Sequence, residues 1–150
     1  MAEKAIDNIR EELKYNQEIL SGIVPNHKAV LFSIDSLISV SEGDVISVEL
    51  INIDFKLISS SSWEMAELTQ AISYMDIDVV TNLAKVYNFQ SYYESILKNF
   101  VLKSAYDSDE YMDRETLQKT KAFLETVIPM EEDLASYCKI MIDQVLIEKD

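Results

Sequence analysis

The chain predicts an all-α fold, an up-down bundle of about four helices in one domain spanning residues 1–150, and three observations lead there. Gly and Pro are scarce, two of each in 150 residues, so little interrupts a helix. Apolar residues recur at alternating steps of three and four over long stretches, the spacing of one helical face. Short polar breaks near Met75 and Asp107 make neighbouring helices antiparallel. A chain of this length buries roughly 70% of its unfolded surface without disulfides or metals.

The first element carries Ala2, Ile6, Ile9, Leu13, Asn16, Leu20, Ile23, His27, Val30, Ile34 and Leu37 on one seam. The register runs through Pro25 without a slip, which fits one Pro-kinked helix roughly 57 Å long. The alternative is a break around 22–26, with Pro25 opening a second helix. Residues 42–60 read as an irregular or extended connection, because Ile51, Ile53, Phe55 and Leu57 alternate with Asn52, Asp54 and Lys56 at period two. A segment draped over the bundle is preferred to a hairpin with Ile46, Val48 and Leu50. Ser61 and Glu64 have the spacing of a capping box, placing a helix start at Ser62 or Trp63 and its end near Tyr74. Asp76 is placed to cap a third helix, with Val79, Leu83, Val86, Gln90, Tyr93, Leu97 and Phe100 inward and an end near Ser104. An acidic turn at Asp107, Ser108, Asp109 and Glu110 leads to the last helix, whose seam is Leu117, Thr120, Leu124, Val127, Glu131, Leu134, Cys138, Met141 and Val145, with Pro129 inside it.

Composition narrows the function. A net charge of −14, from 27 acidic and 13 basic residues, opposes binding to nucleic acid, whose affinity comes from cationic neutralisation of phosphates. It also opposes adsorption to anionic lipid. No apolar run approaches the ~20 residues of a membrane span, and no secretory signal opens the chain. The single Cys138 forms no internal disulfide, so the redox compartment stays open.

Reaction signatures are missing, and no cofactor is expected. With one His, the paired Glu-x-x-His motifs of a di-metal bundle cannot be written, and Val24 stands where the Glu before His27 would be. Three-His zinc and two-His iron sites fail on the same count. Asp107, Asp109 and Asp113 imitate a calcium loop, yet Met112 and Gln118 occupy its Gly and bidentate-Glu positions. Gly22 and Gly43 cannot build a phosphate cradle. Cys138 reads as a buried, inert thiol. His27 reads as a core histidine bonded across the seam to Glu131, with pH sensing as the alternative. The carboxylate runs Glu11–Glu12 and 131–133 read as solvated faces.

Two constellations remain. Trp63, Tyr74, Tyr87, Phe89, Tyr92 and Tyr93 concentrate six of the fourteen aromatics in one hairpin. With Gln90, the residues Trp63, Tyr74, Tyr87, Tyr92 and Tyr93 form a candidate interaction surface, since Tyr and Trp combine apolar area with a hydrogen-bonding tip; the alternative is that they fill the thick middle of the bundle. Asn16, His27, Gln90 and Glu131 all fall on predicted seams and form a candidate polar core cluster, whose members must satisfy one another or a ligand.

The stretches Ser59-Ser60-Ser61-Ser62-Trp63-Glu64-Met65-Ala66, Ala71-Ile72-Ser73-Tyr74-Met75 and 83–93, with its Tyr87-x-x-Gln90-x-x-Tyr93, resemble a group of uncharacterised bacterial proteins. These look membrane-anchored, with one N-terminal spanning helix followed by a long helix similar to 9–16. The family pattern often carries Gly near the end of the Trp helix, where this chain has Ala71, Ile72 and Ser73. The resemblance implies no activity or catalytic residue; it implies a membrane anchor upstream of Met1, with the cellular side left open. The expected function is a non-enzymatic helical interaction or sensory module, partnered by protein, touching membrane only through such an anchor, with homodimerisation through a helix face as an option. The alternative is a small-molecule-binding or enzymatic bundle using the polar cluster as a pocket.

Overall fold

A computed structural model describes residues 1–40, 45–47, 52–104 and 111–146 of this chain. It is an all-α bundle. Helix α1 spans Ala2–Val40 without interruption, which resolves the Pro25 alternatives in favour of a single helix. Pro25 is exposed, so the carbonyl it cannot serve, that of Ser21, lies on the hydrated side. The short ladder β1 (Val45–Ser47) pairs antiparallel with β2 (Tyr111–Asp113). The partner of 45–47 is therefore the segment before the last helix, and the hairpin arm at Val48 and Leu50 lies outside the described residues.

Residues 52–60 have no regular secondary structure and lie along α1 as a strap. Asn52 and Asp54 meet Asn26, and Ser59 meets Asn16, so the strap descends as α1 ascends. Helix α2 is Ser61–Leu68, shorter than its pattern suggests. Gln70 takes a left-handed φ of 57°, and the chain continues as the 3-10 turn Ala71–Tyr74. A left-handed residue terminates the α-helical ladder whatever the apolar spacing beyond it.

Helix α3 spans Ile77–Ser104, with Asp76 Oδ1 accepting from the Asp78 amide at 2.8 Å, the cap expected. Helix α4 spans Arg114–Ile140; Asp113 caps it through Thr116 N at 2.7 Å, and Pro129 again faces solvent. Its end loosens into a π turn, Met141–Val145. The wider turn advances the seam, so Leu146, 2% exposed, is buried after Met141. The acidic turn at 107–110 lies outside the described residues.

Contacts Arg10–Leu146, His27–Glu131 and Asp35–Lys121 make α1 antiparallel to α4 and the residues that follow it. Pairs Glu12–Tyr87 and Asn16–Gln90 make α1 and α3 parallel. The bundle thus has three long helices and the short α2, and the strap, not a helix, makes the descent between α1 and α3. The seams bury Ile9, Leu13, Leu20, Ile23, Leu83, Leu117, Leu124 and Leu134 in one core.

One substitution tests the helical reading of α1. Gly22 is exposed within the helix, and a Cβ there would meet nothing within 4 Å. Gly22→Ala is expected to stabilise the protein by about 1 kcal/mol, raising the melting temperature by roughly 3 °C. A calorimetric scan of the two proteins checks it.

Candidate functional site

The polar seam is the distinctive feature of the interior, and it is built around two carboxylates. Glu131, on the α1-facing stripe of α4, is fully buried. Its carboxylate lies 2.9 Å from His27 Nδ1 and accepts from Tyr93 Oη at 2.9 Å. The other imidazole nitrogen, Nε2, lies 2.8 Å from the Asp54 carbonyl of the strap. Both ring nitrogens therefore face acceptors, which selects the imidazolium, the form that donates from both. Burial by itself would lower the His27 pKa, but the hydrogen bond and charge of Glu131, with Asp54 behind them, outweigh it and hold the group above its ordinary 6.5. Burial, reinforced by the same Glu131 charge, raises the Tyr93 phenol, which stays protonated and donating.

Glu12 forms the second centre. It is 7% exposed, and Oε1 accepts from Tyr87 Oη at 2.7 Å. Oε2 accepts from Ser59 Oγ at 2.8 Å, Ser61 Oγ at 3.1 Å and the Ser62 amide at 2.8 Å. The carboxylate thus caps α2 from another helix, where negative charge is favoured. This corrects the capping box: the N-cap is Ser60, its side chain makes no cap bond to the backbone, and its hydroxyl donates instead to Glu64 Oε1 at 2.6 Å.

Between the centres sits an amide pair. Asn16 Nδ2 donates to Gln90 Oε1 at 3.2 Å and to the Ser59 carbonyl at 2.7 Å, while Gln90 Nε2 donates to that same carbonyl at 2.9 Å. The four predicted polar residues therefore resolve into two couples, Asn16 with Gln90 and His27 with Glu131, each directing further bonds to the strap backbone. Among the described residues, no buried side-chain nitrogen or oxygen lacks a partner. An open groove of about 550 Å³ beside Glu11, Glu12 and Tyr15 includes none of the four.

The aromatic surface is corrected residue by residue. Trp63, Tyr87, Gln90 and Tyr93 are buried, at 7%, 5%, 1% and 0% exposure, whereas Tyr74 and Tyr92 are open at 74% and 61%. Trp63 stacks on Tyr87 with centroids 5.2 Å apart and planes 11° from parallel, so this part of the hairpin packs inward, as the alternative reading held. Burial drives the Tyr87 phenol upward, reinforced by Glu12. Cys138 is buried, and burial pushes its thiol up to about 12, well away from the thiolate range a nucleophile needs.

Two participants escaped the sequence reading. Glu12 belonged to a run read as solvated, and it is buried because α1 packs against α2 as well as α4, with Tyr87 of α3 reaching its carboxylate, which widens the inward stripe from 9, 13, 16 to 9, 12, 13, 16. Spacing of three from Ile9 and four to Asn16 was the available signal. Asn26, outside the seam, binds the strap at Asn52 and Asp54. Glu11, Glu132 and Asp133 are exposed as expected, with Lys28 paired to Glu132.

The fold and seam define an acidic all-α bundle whose polar side chains clasp an extended strap. Comparison of the chain with protein-family profiles, curated proteins and solved structures finds no match. Among the described residues, no helix is long and apolar enough to cross a membrane, and no group of three or more His, Cys, Asp or Glu side chains is arranged to hold a metal ion.

Proposed function

We propose that this chain is a non-enzymatic helical interaction module, carried on the membrane tether that its resemblance implies and partnered by protein. The observation that carries the reading is where the hydrogen bonds go: the seam residues Asn16, His27 and Gln90, with Asn26 beside them, bind backbone atoms of 52–59. Side chains committed to holding a chain segment are the chemistry of recognition, and their mutual pairing favours this reading over a polar pocket awaiting a small molecule. Exposed Tyr74 and Tyr92, with Phe32 at 75% and Leu68 at 79% exposure, supply apolar contact area of the kind partner surfaces use.

The test places a photo-crosslinking phenylalanine analogue at position 74 or 92 in the native host, with position 18, an exposed Glu on α1, as the control. A discrete adduct at 74 or 92, absent at 18 and suppressed by excess unmodified protein, is the expected result. No adduct, or one that excess protein does not suppress, overturns the reading.

A further inference from the structure

The strap is held as a protein holds a foreign extended peptide. Asn26 Nδ2 donates to the Asn52 carbonyl at 3.2 Å, and its Oδ1 accepts from the Asp54 amide at 2.9 Å. Asn16 repeats this two-way contact on a single residue, donating to the Ser59 carbonyl at 2.7 Å and accepting from the Ser59 amide at 2.8 Å. His27 and Gln90 donate to the carbonyls of Asp54 and Ser59. An amide side chain that gives to and takes from one backbone recognises extended chain whatever side chains that chain carries.

Selectivity would come from two anchors. The Phe55 ring lies 6.1 Å from His27, 6.1 Å from Phe100 and 6.4 Å from Phe123 between centroids, above the stacked Phe100–Phe123 pair. Three residues on, Ile58 is buried at 7% exposure, while Leu57 between them is 74% exposed and Lys56 faces solvent.

We infer that the groove between α1, α3 and α4 is a docking site for an extended peptide of a partner protein, with an aromatic residue and an aliphatic residue three positions later, which enters by displacing 52–59. The segment that already fills the groove defines the occupant: its fit sets the backbone path and the two anchors, and the clamping bonds depend on peptide groups any chain possesses. Phe55, the central anchor, remains 40% exposed, so the site is open to exchange from the solvent side. A net charge of −14 on the chain favours basic residues flanking the incoming motif. This inference rests on the interaction reading and names its partner.

A tethered segment competes at an effective concentration on the order of millimolar, so the wild-type groove should look weak to an added peptide. The probe is a fluorescein-labelled synthetic peptide of residues 51–60, titrated by anisotropy into the full chain and into its Phe55→Ser, Ile58→Ser variant, which weakens the built-in occupant. The variant is expected to bind about tenfold or more tightly than wild type. Adding Asn16→Ala and Asn26→Ala, or replacing the peptide's Phe by Ser, should abolish binding. A variant of wild-type helicity that binds no peptide overturns the inference.

Should that variant fail to fold, hydrogen exchange on the wild-type chain decides. Millimolar peptide is expected to accelerate exchange of the Asp54 and Ser59 amides, and unchanged protection of both sinks the inference. Failure here with competed crosslinks intact at positions 74 and 92 would remove the groove and leave the interaction reading standing.

Discussion

Replacing Glu131 by Leu is expected to destabilise the protein by about 3–5 kcal/mol, because it strands a buried cation. Two partners lose their acceptor at once, His27 Nδ1 and Tyr93 Oη, both at 2.9 Å in the native seam, and neither side chain has measurable exposure. Water cannot reach either group without opening the helix interface. A melting temperature lower by roughly 10 °C follows for a domain of this size. The double variant His27→Leu, Glu131→Leu should recover part of the loss, since it removes both buried charges and leaves only the neutral Tyr93 hydroxyl and Asp54 carbonyl without their partners; equal destabilisation by the single and double changes would show that the pair is not coupled.

The same couple sets a pH dependence with a definite sign. The folded-state pKa of His27 is raised above the unfolded 6.5, so its contribution is fully present below pH 6.5 and is lost as pH rises through the folded value. Neutral imidazole keeps one proton, and the Glu131 carboxylate, the stronger acceptor, retains it. The Asp54 carbonyl then loses its donor, and the strap is weakened before the helices. Denaturant midpoints taken upward from pH 6 should fall for wild type and rise for Glu131→Leu, where burial no longer opposed by the carboxylate depresses the histidine.

Replacement of Glu12 by Leu is the second large effect, expected at about 2–4 kcal/mol. The loss combines a helix cap, about 1 kcal/mol, with an unsatisfied buried phenol at Tyr87, about 1–3 kcal/mol. The Tyr87 and Ser62 contacts bridge 75 and 50 residues of sequence, so α2 should detach from α1 and the emission of Trp63, stacked on Tyr87, should shift toward that of solvated indole. Tyr87→Phe keeps the stack and removes one bond, so its cost should stay near 1 kcal/mol with the emission unchanged. Native emission from the Glu12→Leu protein would refute the capping role.

The seams were legible because burial and helical period act through spacing alone. Leu83, Gln90 and Tyr93 on α3 and Leu117, Leu124 and Glu131 on α4 are buried where the three-and-four steps put them, and the facing of His27 and Glu131 followed from setting the middles of the first and last helices against each other in antiparallel packing. The aromatic hairpin was less legible. Apolar content could not say whether Trp63 and Tyr87 packed inward or faced a partner, because both arrangements satisfy an amphipathic ring. The end of α2 was misplaced because Gln70 adopts a left-handed backbone that its side-chain type does not announce.

Period and composition were thus sufficient for long acidic helices with polar residues on their inward stripes, since those properties depend on neighbours three or four positions away. Pairing was decided in three dimensions: that Glu12 caps α2, that Glu131 holds His27 and Tyr93, and that an extended strap takes the place of a descending helix. The reason is physical. A hydrogen bond is directional and short-ranged, so a contact such as His27 to Glu131, across 104 residues, is selected only once packing has brought the two backbones to a fixed separation.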